Sequence, residues 1–161
     1  MRRRDAFLTL LAATLAGCGF QLRRPPTLNF ATVQLVGFPQ RSPFTDELRR
    51  HIEASGSTRV VEAQPQVVLE ALDDVRDKSV AAQTAAGQVR EFTLRTRLRF
   101  RLRTPAGKLL IPPTELLLTR DMSYNESNAL AKEQEETMLY RSMQSDIVEQ
   151  VMRQLAAVPP L

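Results

Sequence analysis

The sequence predicts an α+β domain. The expected form is a two-layer sandwich, a four-stranded mixed sheet with two helices packed on one face, in the order β-α-β-β-β-α. Three observations predict it. Residues 92–103 alternate apolar and charged side chains, the two-residue period of a half-buried strand. Leu139, Met143, Ile147, Val151 and Leu155 recur at four-residue steps, the stripe of an amphipathic helix. The remaining apolar runs are short, alternating and separated by turn sequences.

Each element has its own local reason. Phe30 to Phe38 is a first strand, with Ala31, Val33 and Leu35 alternating with Thr32, Gln34 and Val36, and Gly37 and Pro39 ending it. Ser42-Pro43 opens a helix, the serine capping and the proline at the first helical position. Phe44, Leu48 and Ile52 form its apolar side, and Ser55-Gly56 closes it. Val67 to Arg76 is a second strand, with Val67, Leu69, Ala71 and Val75 expected on one face. The polar, Ala-rich residues 77–87 are expected to be a long hairpin connection. Phe92 to Thr104 is the third strand, and Thr104-Pro105-Ala106-Gly107 is a turn. Leu109 to Tyr124 is the fourth, and Pro112-Pro113 within it call for a bulge or an edge position. Asn125 or Ser127 caps the last helix, which runs to about Ala157 and stops before Pro159-Pro160.

Length and composition narrow the function classes. At 161 residues the chain suits one domain, expected over residues 30–158. Its 43% apolar and 25% charged residues exclude a disordered chain and a multi-span membrane protein. One cysteine excludes an intrachain disulfide. The single histidine, His51, lies beside Leu48 and Ile52 and reads as a packing residue. With no second histidine and no other cysteine, a His-rich metal site and a Ser-His or Cys-His nucleophile are not expected. Carboxylates could still act as acid and base, but the cluster Glu133, Glu135 and Glu136 lies in the first turns of a helix, where the dipole accounts for it, and no enzyme is expected. The glycines stand at separate turns and form no phosphate-cradling loop.

The amino terminus carries an address. Arg2, Arg3 and Arg4 precede an apolar run from Ala6 to Ala16, and Leu15-Ala16-Gly17-Cys18 follows. A basic start, an apolar segment too short to span a bilayer and a small-residue cleavage site make residues 1–17 a secretory signal peptide. The cysteine after Leu-Ala-Gly resembles the bacterial lipobox. That resemblance implies acylation of Cys18, with no cofactor beyond this covalent lipid. Several acyl chains anchor stably where one does not. Gly19 in the next position favours sorting to the outer membrane under lipoprotein rules, and residues 18–29 become a lipidated tether. Loss of residues 1–17 leaves 19 basic and 17 acidic residues, a net charge of about +2. That balance does not indicate a nucleic-acid-binding domain.

The third strand carries the conspicuous chemistry. Phe92, Leu94, Thr96, Leu98, Phe100 and Leu102 share one face, and Arg95, Arg97, Arg99, Arg101 and Arg103 share the other. Same-face neighbours stand about 6.7 Å apart. Five guanidiniums in a row repel unless anions face them, and their planar forks suit carboxylates and phosphates. Glu70, Asp74, Glu115 and Asp121 on neighbouring strands could supply those anions, which would make the row a solvated face; an anionic ligand or partner is the other reading. No aromatics are interleaved with the arginines to stack bases, which argues against nucleic acid.

The carboxyl-terminal third resembles a known family. The residues are Arg120-Asp121-Met122-Ser123-Tyr124-Asn125, Ala129-Leu130-Ala131-Lys132-Glu133, Glu135-Glu136 and Leu139-Tyr140-Arg141-Ser142-Met143-Gln144. Together with Cys18-Gly19-Phe20-Gln21-Leu22-Arg23 they resemble the LptE lipopolysaccharide-assembly lipoproteins, in order along nearly the whole chain. The resemblance implies a plug that helps assemble the LptD β-barrel, in a one-to-one complex at the outer membrane, and that binds lipopolysaccharide as it passes to the outer leaflet. It also implies a ligand contact for Lys132, which matches the lysine of the family's Ala-Leu-Ala-Lys segment. Some family members carry a basic residue in the hairpin before the third strand; residues 81–88 here contain none. The competing expectation is an independent periplasm-facing lipoprotein, an adaptor or a carrier of anionic ligands, which would show a concave apolar pocket.

Overall fold

A computed structural model describes residues 26–39 and 41–161. The segment expected to be a signal peptide, Cys18 and most of the expected tether lie outside the described residues. The elements in chain order are β1 (Thr32–Val36), α1 (Pro43–Ala54), β2 (Arg59–Val60), β3 (Val67–Gln83), β4 (Val89–Arg103), β5 (Leu109–Ser123) and α2 (Ala129–Ala156). A single 3-10 turn, Glu126–Asn128, leads into α2. The sheet order is β2-β1-β3-β4-β5. β1 runs parallel to β2 and β3, and β3, β4 and β5 form an antiparallel meander. The class is as predicted, α+β with two helices and a mixed sheet.

The sheet has five strands rather than four. β2 is two residues long, too short to show a period, and its pairing with Thr32 and Val33 is settled only by tertiary position. A second difference is larger. Residues 77–83, expected in a loop, continue β3 to Gln83, and the connection shrinks to the turn at residues 84–88. Thr84 N–H donates to the Gln88 carbonyl, and Gly87 takes the positive φ that the turn needs. Alanine and glutamine are poor strand signals alone, but pairing against β4 supplies what propensity does not.

α1 follows its sequence cues. The Ser42 hydroxyl accepts from Thr45 N–H, and Pro43 occupies the first turn. Phe44, Leu48 and Ile52 are buried. His51, expected to pack, is exposed: it sits one residue before Ile52, on the solvent side of the last turn. At α2 the capping work is done one turn early, by Asn125, whose side chain accepts from Ser127 N–H at the 3-10 turn.

The main core lies at the lower end of the sheet, where all five strands meet both helices. Leu48 and Ile52 of α1, Val67 and Leu69 of β3, Leu98, Phe100 and Leu102 of β4, and Ile147, Val151 and Leu155 of α2 are essentially inaccessible. Each such side chain contributes about 1.5–3 kcal/mol on burial. A polar bridge ties the helices to β3: Gln144, buried, accepts from Arg76 at 2.6 Å and donates to Glu47 of α1, and Ser145 donates to Glu47 at 2.6 Å.

Gly37 sets the upper limit of β1. It holds φ +76°, and a Cβ there would collide with the Ala71 carbonyl oxygen of β3. Gly37→Ala should therefore cost about 2 kcal/mol or more, from strain and displaced backbone together. Gly87→Ala, at φ +78° with open space around it, should cost only about 1 kcal/mol. Urea unfolding of the two variants checks the contrast; equal losses would remove the close approach as the reason for glycine at 37.

Candidate functional site: a charged sheet face and two lysines where the long helix meets the sheet

β4 lies between β3 and β5 for nearly its whole length, so its alternation decides both faces. Leu94, Leu98, Phe100 and Leu102 are buried toward the helices with Thr96. Arg95, Arg97, Arg99, Arg101 and Arg103 lie on the opposite face, and Arg95 and Arg99 are the exposed members.

Three of the five are paired across strands. Arg97 meets Asp73 at 2.7 Å, Arg101 meets Glu70 at 2.8 Å, and Arg103 reaches the same Glu70 at 3.2 Å. The partner of Arg97 is Asp73 and not Asp74 because β3 slips register between Ala71 and Asp73. The slip leaves Leu72 exposed, puts Asp73 on the arginine side and carries Val75 to that side too, 39% exposed. Val75 was expected inside; the bulge reverses it. Glu115 stands opposite Arg99 in register and Asp77 opposite Arg95, but among the described residues neither arginine has an ion pair within 4 Å. Asp121 accepts from Thr93 at 2.8 Å instead of serving an arginine. Leu117, 52% exposed, lies beside Arg97 and completes a face of charges interleaved with apolar side chains.

Glu70 anchors this ladder. The hydrogen bond from Arg101, joined by that from Arg103, holds its carboxyl below the usual carboxylate value of 4.5 against the opposing loss of hydration.

Lys132 is elsewhere, on the helix side. Its ammonium donates to Ser123 at 3.0 Å and to Glu135 at 2.8 Å, joining α2 to the end of β5. It does not meet the arginine row. Its neighbourhood is basic and aromatic in a way the sequence did not display. Lys78 of β3 meets Glu136 of α2 at 2.5 Å and sits 4.1 Å over the Phe92 ring. Phe92 packs edge-on against Tyr124 at 5.1 Å. Tyr124 N–H donates to the Arg90 carbonyl, which sets exposed Arg90 on the adjoining strand just beyond the short turn. Arg90 stands two residues beyond the turn at residues 84–88, on β4.

Among the described residues no three His, Cys, Asp or Glu side chains gather as metal donors, and no helix is long and apolar enough to cross a membrane. A cleft of about 320 Å³ opens between β1 and α1, but Arg41, Arg49 and Glu62 share its lining with Leu35 and Phe38, so it is not the apolar pocket expected of a carrier.

The fold and these surfaces define a sheet-and-helix domain that presents charge on its faces. That architecture is shared with bacterial lipoproteins. A lipoprotein B from Nitrosomonas europaea, described as uncharacterized, is 32% identical over 86% of this chain and 91% of its own, with a TM-score of 0.71. The rare lipoprotein B of Shewanella oneidensis (20% identity, 78% of this chain and 94% of its own, TM-score 0.68) has the same fold. So does a minor lipoprotein of Acinetobacter baumannii (17% identity, 82% and 94%, TM-score 0.65). No match was found among curated protein sequences. Residues 30–155 match the family described as LptE, lipopolysaccharide-assembly, and the chain belongs to that family. The family is one of non-catalytic lipoproteins of lipopolysaccharide transport.

The Glu70 ladder sets a pH dependence with a definite sign. A depressed folded-state value means its contribution is fully present above pH 4.5 and is lost as pH falls through the lower folded value. Glu70→Gln should lower stability by roughly 1 kcal/mol at neutral pH, since the pairs are partly exposed. Its unfolding free energy should converge on that of the parent in acid. A gap that stays constant down to pH 2 would exclude charge as the origin.

Proposed function

We propose that this chain is an outer-membrane lipoprotein, anchored through acylated Cys18, that plugs and helps assemble an LptD β-barrel in a one-to-one complex. There it binds lipopolysaccharide on its way to the outer leaflet. The observation that carries the reading is the family match over residues 30–155, nearly the whole of the described domain. The surfaces agree with it. A plug inside a barrel meets its partner over broad faces, and the outer face offers interleaved charge and apolar area instead of a cleft. Lipopolysaccharide carries phosphates and acidic sugars, for which guanidinium and ammonium groups are suitable donors.

Within the row, Arg95 and Arg99 are the candidate ligand contacts, because Arg97, Arg101 and Arg103 already serve carboxylates. On the helix side the candidates are Lys132, Lys78 and Arg90. Reversing Arg97 or Arg101 would set like charges against Asp73 or Glu70 and confuse binding with folding, so Arg95→Ala with Arg99→Ala is the cleaner change.

Two experiments test the reading. The full-length lipoprotein, tagged at its carboxyl end and extracted from outer membrane in mild detergent, should bring down one large β-barrel in equal yield. Recovery alone, under conditions that keep other barrel complexes intact, would defeat the plug reading. Removing Arg95 and Arg99 together should weaken lipopolysaccharide binding about tenfold with unfolding unchanged, each contact being worth roughly 0.5–1 kcal/mol at an exposed site. Undiminished binding would clear Arg95 and Arg99 of a ligand role.

A further inference from the structure

β2 ends after two residues, and its connection to β3 gives the reason. Both strands run parallel to β1, one on each side, so the chain between them has to cross β1. It crosses on the face away from the helices, where Thr32 and Gln34 alternate with the inward Val33 and Leu35. There the Gln34 amide donates to the Glu62 carbonyl at 3.0 Å, and Gln66 N–H donates to the Thr32 hydroxyl at 2.9 Å. The last bond along the sheet edge runs from Val61 N–H to the Val33 carbonyl at 2.9 Å. Leu35 stands two residues further on. Peptide groups alternate sides along a strand, so its N–H and C=O point the same way as those of Val33, toward the place that β2 has left. Among the described residues no backbone group meets them there.

That open edge is one wall of the cleft of about 320 Å³, and α1 is the other. Leu35 and Phe38 make an apolar floor, and Phe38 is braced by Phe44 with ring centres 6.1 Å apart. Two guanidiniums share the lining. Arg41 is exposed, holds a left-handed φ of +61°, and among the described residues has no ion pair within 4 Å. Arg49 reaches Glu62 at 3.9 Å, the outer limit of a pair, and Glu62 is 87% exposed. The other lining carboxylate, Asp46, lies in the first turn of α1, where the helix dipole balances it. The cleft thus combines unpaired peptide groups, an apolar floor and two cations with little of their own to hold.

We propose that this cleft receives an extended acidic segment of a partner protein, added as a strand beside Leu35, with an apolar side chain on Leu35 and Phe38 and carboxylates on Arg41 and Arg49. A groove between a sheet edge and a helix is the geometry for such strand addition: backbone bonds give affinity, and the pockets for alternate side chains give specificity. Side chains that point toward α1 are two residues apart, so the segment carries its apolar and acidic groups at alternate positions. Arginine forks suit carboxylates in pairs. The inference does not depend on lipopolysaccharide binding.

The test uses the full-length protein in detergent and capped synthetic heptapeptides with threonine at the odd positions. One carries leucine, glutamate and glutamate at the even positions, one the reverse order, and one replaces both glutamates by lysine. At least one acidic peptide should bind, and the lysine peptide should bind at least tenfold more weakly. No binding by either acidic peptide at millimolar concentration overturns the proposal. Arg41→Ala with Arg49→Ala should weaken binding roughly tenfold with unfolding unchanged. Arg50→Ala with Arg59→Ala removes the same charge from exposed arginines outside the cleft and should change binding less than twofold. Equal weakening by both pairs would reduce the effect to bulk charge and sink the site. Peptide N-methylation reads the strand pairing: methyl groups on one alternate set of amides should abolish binding, and on the other set should leave it within twofold. Equal effects of the two sets would exclude strand addition. Hydrogen exchange reads the same bond from the protein. The Leu35 amide should exchange fast alone and slow at least tenfold with peptide, while the Gln34 and Val36 amides, turned toward β3, stay unchanged. A Leu35 amide that is protected without peptide and freed on dilution would make the occupant a second copy of this chain and overturn the partner assignment.

Discussion

Everything in this domain depends on the register of β4. It is the strand with neighbours on both sides along nearly its full length, and its side chains divide strictly into apolar and guanidinium sets. A slip of one residue against either neighbour would turn five arginines into the core and five large apolar side chains to water. Burying even one unpaired guanidinium costs several kcal/mol, so the alternative register has no route to stability. With β4 fixed, β3 and β5 have only one way to present Leu69, Ile111 and Leu116 to the helices. The arginine row is thus a folding constraint as well as a surface. Its members are kept out of the core by charge and kept from repelling one another by Glu70 and Asp73.

What could be read from the sequence follows from that division. The fold class, the α1 boundaries, the course of β4 and the buried stripe of α2 were legible because each rests on a strong local period or cap: Ser42-Pro43, the alternation at 92–103, the four-residue step from Met143 to Leu155. The missed features rest on non-local causes. β2 exists because Arg59 and Val60 happen to lie beside Thr32 and Val33. β3 continues through Ala81, Ala82 and Gln83 because β4 is there to pair with it. The bulge at Leu72 has no signature of its own, yet it exchanges Asp74 for Asp73 as the partner of Arg97 and turns Val75 outward. Of the candidate site, the residue types were legible and the partners were not. Lys132 was identifiable from a family segment, but its meeting with Ser123, Glu135 and, next to them, the Lys78–Phe92 contact required the fold.

The molecule is built as two halves of unequal character. Below Gly37 five strands and two helices enclose the main apolar core. Above it three strands and half a helix are joined over β3 by an ammonium–carboxylate pair and by Tyr140, with Leu94, Met122 and Met143 as a small buried group apart from the main cluster. Stability is concentrated in the lower half, and local opening is drawn from regions with few buried apolar contacts.

The early departure of β1 has a further consequence, for solubility. Beyond Ala71 no described strand pairs with the free side of β3, and β5 has no described partner on its outer side. The upper sheet thus presents two rows of open backbone donors and acceptors, each a template on which another strand can grow. Pro112 and Pro113 blunt the lower part of β5, the bulge at Leu72 breaks the start of the open run on β3, and Asp73, Asp77, Arg120 and Asp121 add charge along the rest. These are the devices by which sheet proteins discourage association edge to edge. Their concentration on the part of the sheet left bare describes a domain made to remain separate from its own copies.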